Sequence, residues 1–439
     1  MSFATTSSTE KSWFGHPRGL TVLFLTEMWE MFSFFGMRAI LVYYMTKHLD
    51  MNQEHASLVY GAYAAFVYFT PVFGGMVADR WLGKARAVVI GGATMALGHF
   101  MMTWEALFYP ALCMIALGNG LFLPSLASQI EGLYREGDTR TKSAYNIYYV
   151  GINLGAFLAP FVCGTLGEVY GWHWGFAAAG LGMLLSLVIY LAGRRYLPPD
   201  PQRGVAAQAA RPPLDGAARN RFALLIGIAA IVVIFRGAYE QVGNTIALWA
   251  DTGIDRQVGP WTIPMTWFIS IDSLVVFAFT PLLVARWARL ARRGIETSLL
   301  GRMAFGAAVV AASYVALGLI AGWHEAHGTR ASWLWLAGWF VVFATGELYI
   351  LPSGLALFGR MAPDGFRATS IATWFFAGFF GNLLAGGLGT LWSQFAHGWF
   401  FVMIGGVSAL SAVLLYILSL CTGHVEKHVT VDAQVVPSR

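Results

Sequence analysis

Apolar stretches of about twenty residues or more follow one another along this chain, with only short polar breaks between them. A helix rises ~1.5 Å per residue, so a run of this length crosses the ~30 Å hydrocarbon layer of a bilayer. The sequence predicts twelve such spans, at 19–46, 55–79, 86–104, 107–134, 141–169, 173–196, 221–250, 263–286, 299–322, 331–359, 366–393 and 398–421. Only 12% of the 439 residues are charged, against about 25% in a soluble domain. That is too few to clothe a water-facing surface, so the chain reads as an all-α membrane protein with the lipid bilayer as its partner.

Other classes find little support. The formal charge of +5 is spread through short loops, which is no nucleic-acid footprint. Cys113, Cys163 and Cys421 are scattered through apolar segments without ligand spacing and read as packing residues. No H-E-x-x-H, G-x-S-x-G or phosphate-cradling glycine loop occurs, so no enzyme, catalytic residue, metal or cofactor is expected. His324-Glu325-Ala326-His327 lacks the helix spacing of a zinc pair and reads as an outer, solvated loop. The polar first eighteen residues precede an apolar run too long for a signal-peptide core, so the first span is expected to serve as its own insertion signal.

The first span nevertheless contains Glu27, Glu30 and Arg38. With Phe34 they follow steps of three, four and four, which places them on one helix face. A charge at membrane depth costs at least ~2.5–3.5 kcal/mol and is kept where it meets a partner or a water-filled path. Structural salt bridges are the plainer reading; a solute or ion pathway is the one adopted.

A Pro-, Ala- and Arg-rich segment at 197–220 divides the chain into halves of six spans, 1–196 and 221–421, followed by a tail at 422–439. Lys and Arg crowd the loops on one side, as at Arg80, Lys84 and Arg86, and at Arg286, Arg289, Arg292 and Arg293. The opposite loops hold Lys47, Arg256 and Arg330. This asymmetry predicts cytoplasmic termini in a cell (inner or plasma) membrane protein. The loop Gly74-Gly75-Met76-Val77-Ala78-Asp79-Arg80-Trp81-Leu82-Gly83-Lys84-Ala85-Arg86 resembles the signature G-G-x-x-A-D-R-x-L-G-x-x-R of the major facilitator superfamily. The resemblance implies twelve transmembrane helices in two six-helix bundles that rock about a central site.

Within that superfamily the chain resembles the proton-dependent oligopeptide transporter family. Glu27 to Arg38 follow E-x-x-E-R-F-x-Y-Y-G-M-R with three departures, and Tyr148 to Ala156 are close to F-Y-x-x-I-N-x-G-S. Gly118 to Pro124 resemble G-N-G-L-F-K-P. Glu240-Gln241, Trp267 to Asp272, Gly346 to Tyr349 and Trp374-Phe375 echo later helices. The resemblance implies a peptide symporter, working as a monomer, with Tyr68, Asn153, Glu347 and Trp374 around the substrate. Glu347 and Asn153 would meet its amino end and Arg38 its carboxylate. Arg38 and Glu240 would form a gate, and Glu27, Glu30, Glu240, Asp272 and Glu347 would be the proton-coupling candidates.

The departures bear on the site directly. The family arginine is Met31, its fourth-helix lysine is Leu123, its two tyrosines are Phe34 and Phe35, and its eighth-helix asparagine is Asp272. Two cations and two hydroxyls are gone and one acid has arrived. Arg236, one turn before Glu240, restores some positive charge, and a local Arg236–Glu240 pair competes on paper with the Arg38 gate. The expectation is altered proton coupling and a preference for peptide-like solutes with a blocked carboxylate or a cationic group. A proton-independent facilitator or exporter of a modified-peptide or non-peptide solute is the alternative. Tyr148 and Tyr149 read as helix packing.

Overall fold

The computed structural model describes residues 15–135, 137–200, 216–294, 298–363 and 366–435. Thirteen α-helices are formed among the described residues. In the first half they are α1 (Arg18–Lys47), α2 (Gln53–Val77), α3 (Lys84–Met101), α4 (Phe108–Ala127), α5 (Arg140–Ala159) and α6 (Trp172–Gly193). In the second half they are α7 (Gly216–Tyr239), α8 (Thr245–Thr252), α9 (Trp267–Arg292), α10 (Leu299–Ala326), α11 (Trp333–Met361), α12 (Arg367–Gly389) and α13 (His397–Val435). Two pairs of two-residue strands occur; in one, Ile254–Asp255 runs parallel to Ala331–Ser332.

Eleven of the helical segments are long and apolar enough to cross a membrane. The third expected span is the exception, because the 18 residues of α3 include Lys84, Arg86 and His99, which leave it less apolar than the others. It is held between α4 and α6. Its approach to α4 is backbone-close: a Cβ on Gly91 would lie 2.6 Å from the Gly118 carbonyl oxygen. Small residues allow this contact where lipid gives helices no hydrophobic reason to associate.

The seventh span is broken rather than continuous. After Tyr239 the chain makes a 3-10 turn over Glu240–Gly243, and Asn244 (φ −115°, ψ −92°) leaves helical geometry before α8 begins. Gln241 caps the gap by donating to the carbonyls of Gly237 and Ala385 at 3.2 and 2.9 Å. Irregular backbone at membrane depth persists only where protein satisfies it or a cavity adjoins it. The break therefore marks where a site can be built.

Several boundaries differ from expectation. The last helix continues to Val435, and α7 starts at Gly216, inside the expected linker, of which 201–215 lie outside the described residues. His324 sits in the last turn of α10 rather than in a loop, with its ring bonded to Thr329. Cys163 is buried, whereas Cys113 and Cys421 are exposed, so only the first packs inside the protein.

α1 packs on α5 and α6, and α10 on α11 and α13, while α2 meets α12 and α5 meets α9 across the two halves. The cross-half hydrogen bonds gather at the end away from the termini, here called the far end. There the Tyr43 hydroxyl donates to Ala247 O (2.7 Å), Ser57 to Asn244 (3.0 Å) and Gln53 to Gly389 O (2.8 Å). Lys47 pairs with Asp251 at 2.7 Å. The helix contacts that join the halves, α2 with α12 and α5 with α9, flank the broken segment and enclose a polar centre.

Candidate functional site

Glu240 lies at the helix break and is 2% exposed. Its Oε2 accepts from Arg38 Nη2 of α1 at 2.5 Å, and its Oε1 accepts from Arg236 Nη1 at 2.7 Å. The two pairings that competed in the sequence therefore coexist, one on each oxygen. Tyr60 and Tyr68, two helical turns apart on one face of α2, complete the network. The Tyr60 hydroxyl accepts from Arg38 Nε at 2.6 Å and the Tyr68 hydroxyl from Arg236 Nη1 at 3.0 Å. Each guanidinium also lies over its tyrosine ring, at 5.5 and 5.0 Å from the centroid. Buried charges of this kind are tolerable because nearly every lobe has a partner.

Asp272 of α9 and Glu347 of α11 form a second cluster beside the first. Their carboxyl groups face each other within hydrogen-bonding reach. Asp272 Oδ1 and Glu347 Oε2 have no donor among the described residues. Tyr239 neighbours Glu347, and Arg38 and Arg236 lie within electrostatic range of the pair. A small cavity of about 60 Å³ reaches from Phe35 and Arg38 past Tyr60, Tyr239 and Glu240 to Asp272. Phe34 and Phe35 meet edge to face at 5.2 Å. They present rings where hydroxyls were expected in the related pattern.

α5 contributes Asn153, whose Nδ2 donates to the Tyr149 carbonyl at 2.9 Å. Tyr149 itself is 46% exposed and stands within electrostatic range of Glu347 and Asp272. Reading it as a packing residue is corrected: a step of 100° around the helix carries it to the polar centre while Tyr148 turns inward. Tyr148 is 5% exposed and its hydroxyl is the polar neighbour of Glu27.

Glu27 and Glu30 form a third cluster, fully buried, and among the described residues none of their four carboxyl oxygens meets a donor in hydrogen-bond geometry, although the Tyr148 hydroxyl lies beside Glu27. They lie about two to three helical turns from Arg38 along α1, so the shared face does not bring all three into one contact. Leu123 is half-buried on α4 and supplies no charge to them. Trp374 is 8% exposed and packs on Phe358 and against Gly354, where any side chain would strike its ring. It is outside the set that lines the small cavity. Tyr60 and Tyr239 were absent from the sequence-based set; the recurrence of Tyr60 and Tyr68 at a two-turn interval was the signal for the first.

The chemistry available is therefore recognition and charge exchange. Two guanidiniums share one carboxylate, and two further carboxyl groups face each other with no ion pair among the described residues. Among the described residues no group of three or more metal-ligating side chains is assembled.

A family model described as the POT family matches residues 85–212 and 202–403. The peptide transporter YePEPT of Yersinia enterocolitica subsp. palearctica is 30% identical, covering 89% of this chain and 90% of that protein. A di-/tripeptide transporter of Lactococcus lactis subsp. cremoris is 28% identical over 94% of this chain and 97% of its own. The crystal structure of a peptide transporter POT in complex with sulfate superposes with a TM-score of 0.87 at 28% identity, covering 95% of this chain and 97% of that one. These likenesses cover both halves, and they carry the major facilitator fold with them.

Proposed function

This chain belongs to the POT family and is a multi-pass membrane transporter rather than an enzyme; from that premise we propose that it imports di- and tripeptides or peptide-like compounds by alternating access. In this reading residues 1–196 and 221–421 rock against each other, as a monomer in the cell membrane, with both termini cytoplasmic. The far end is then the outer side, and its cross-half bonds close it. Substrate enters among Arg38, Tyr68, Asn153, Asp272 and Glu347, with Phe34, Phe35, Leu123 and Trp374 shaping the surrounding wall.

One observation carries the finer part of the proposal. Both guanidiniums are engaged by Glu240, while Asp272 and Glu347 face each other with no ion pair of their own among the described residues. A site with surplus carboxyl groups favours a solute that brings positive charge, and its arginines must leave Glu240 to hold a carboxylate. The preferred substrate is a peptide-like compound with a free amino end and either a blocked carboxylate or a cationic side chain. The relatives named as peptide and di-/tripeptide transporters support the peptide class. Proton coupling in this proposal runs through Glu30, Asp272, Glu240 and Glu347, with Glu27 beside Glu30, and it is altered by the lack of cations at Met31 and Leu123.

The test is uptake of labelled dipeptides, their C-terminal amides and lysyl dipeptides into proteoliposomes, with and without an inward proton gradient. Gradient-driven accumulation, strongest for the amides or lysyl peptides, is expected. Tight uptake of simple dipeptides, unaffected by amidation, refutes the charge preference. Equilibration without accumulation supports the second reading, a proton-independent facilitator, which the lack of any cation paired with Glu27 and Glu30 among the described residues favours.

A further inference from the structure

At the far end the first half supplies the cap of a second-half helix. Thr266 precedes α9 and its side chain does not cap its own helix. The free donors are instead taken by Glu168, ninety-eight residues earlier in the chain. Its Oε2 accepts from Met265 N at 3.0 Å, and its Oε1 accepts from Thr266 N at 3.0 Å and from Thr266 Oγ1 at 2.9 Å. A helix N-terminus has unpaired N–H groups and a partial positive charge, so a carboxylate suits it better than any neutral acceptor.

The surrounding contacts make this a built junction. Trp267 Nε1 donates to Thr165 Oγ1 at 2.8 Å and Ser270 Oγ to Phe157 O at 2.9 Å. A side chain on Gly164 would strike the Thr266 side chain, so the Gly164 backbone of one half packs directly on that side chain of the other. Arg256 lies 3.7 Å from Glu168 and 3.5 Å from Asp251, which pairs with Lys47. α9 carries Asp272 about a turn and a half further on, so the cap holds the helix that bears the polar site.

We infer that Glu168 is the latch of the far side: its carboxylate holds the N-terminus of α9 while that side is closed, and releasing this cap is the step that opens it. The inference rests on the alternating-access reading above. Once the halves part, water solvates the freed carboxylate and the freed N–H groups. The contact can thus break and re-form without leaving a polar group stranded in lipid. Glu168 is a positioning residue; it acts through α9 on the site rather than on the solute.

The experiment measures the distance between nitroxide labels at Ala106→Cys and Ala326→Cys, exposed positions on the far end of each half. The three native cysteines are replaced by alanine, and the full chain is placed in lipid nanodiscs. The background protein should give one dominant short distance, and Glu168→Ala should raise a longer-distance population several-fold. Thr266→Ala, which removes one of the three bonds, should raise it less. If Glu168→Ala does not fold, Glu168→Gln and Thr266→Ala carry the test, with Gln giving the larger shift because its amide cannot accept on both sides. Distributions superimposable on the background in every folded variant overturn the latch. Uptake by the same proteins is recorded separately. A distance shift with no uptake by any protein, the background included, refutes the peptide-transport reading and leaves the latch standing. Unchanged distances in variants of an active background do the reverse.

Discussion

Arg236 binds Glu240 one turn away on its own segment, through a single carboxylate oxygen at 2.7 Å, and leaves the other oxygen open to the first half of the chain. Arg38 takes that oxygen, so the bond across the halves does not have to compete with the local one. Breaking the local pair should therefore be mild. Arg236→Ala removes the bonds to Glu240 and to Tyr68 but leaves Glu240 paired with Arg38, and is expected to cost about 2–3 kcal/mol. Glu240→Ala leaves two buried guanidiniums without their carboxylate and should cost about 3–5 kcal/mol. Thermal unfolding in detergent ranks the two, and the double variant should fall short of their sum. An Arg236→Ala loss as large as that of Glu240→Ala contradicts the shared-carboxylate arrangement.

Asp272→Asn tests the charge preference. It removes one of the two facing carboxyl groups and keeps the side-chain volume and the hydrogen-bonding outline. Discrimination between a dipeptide amide and the free dipeptide should fall about tenfold, or ~1.4 kcal/mol. Competition against a labelled reference peptide reads this ratio directly. An unchanged ratio places the preference elsewhere.

Proton coupling has four named carriers. Glu30→Gln, Glu240→Gln, Asp272→Asn and Glu347→Gln each remove an ionisable proton while leaving a polar group of similar shape. At least one should abolish gradient-driven accumulation yet keep exchange of internal for external substrate, which needs no net proton movement. Four variants that all accumulate substrate as the parent does remove these residues from the pathway.

Much of the architecture was legible because lipid imposes a coarse rule: long apolar runs become helices. α3 obeys that rule as a helix at the expected place, but its early cations make it the least apolar of the spans, and it packs between α4 and α6. The Arg236–Glu240 pair could be read from a spacing of four. The Arg38–Glu240 bond, across 202 residues, leaves no periodic trace and was expected only from the family resemblance; that the two pairings hold together, one on each oxygen, could not be read. Glu168 is the sharper case. Its partners are the backbone N–H groups of Met265 and Thr266, which no side-chain pattern encodes. Tyr149 was misread for a different reason: adjacent residues on a helix face directions 100° apart, and the inward role of Tyr148 was extended to its neighbour.

The crossing of α1 and α5 offers a test that does not depend on transport. Tyr148, Gly151 and Gly155 fall on one face of α5, and that face meets α1 at Phe24, Glu27 and Met28. A Cβ on Gly155 would strike the Met28 carbonyl and come within 2.9 Å of Phe32 N. These are backbone atoms inside a regular helix, so they cannot move aside as a flexible side chain would. Gly155→Ala should force the helices apart, cost about 1–3 kcal/mol, and draw Tyr148 away from Glu27. Gly387 on α12 is the matched control, with nothing within 4 Å of an added Cβ. Gly387→Ala should be neutral or stabilising by up to about 1 kcal/mol, since alanine loses less backbone freedom in a helix. The two unfolding midpoints in detergent should lie on opposite sides of the parent, or at least differ by several degrees. If Gly155→Ala unfolds no earlier than Gly387→Ala, α1 and α5 do not cross at backbone contact, and the enclosure of Glu27 between them has to be redrawn.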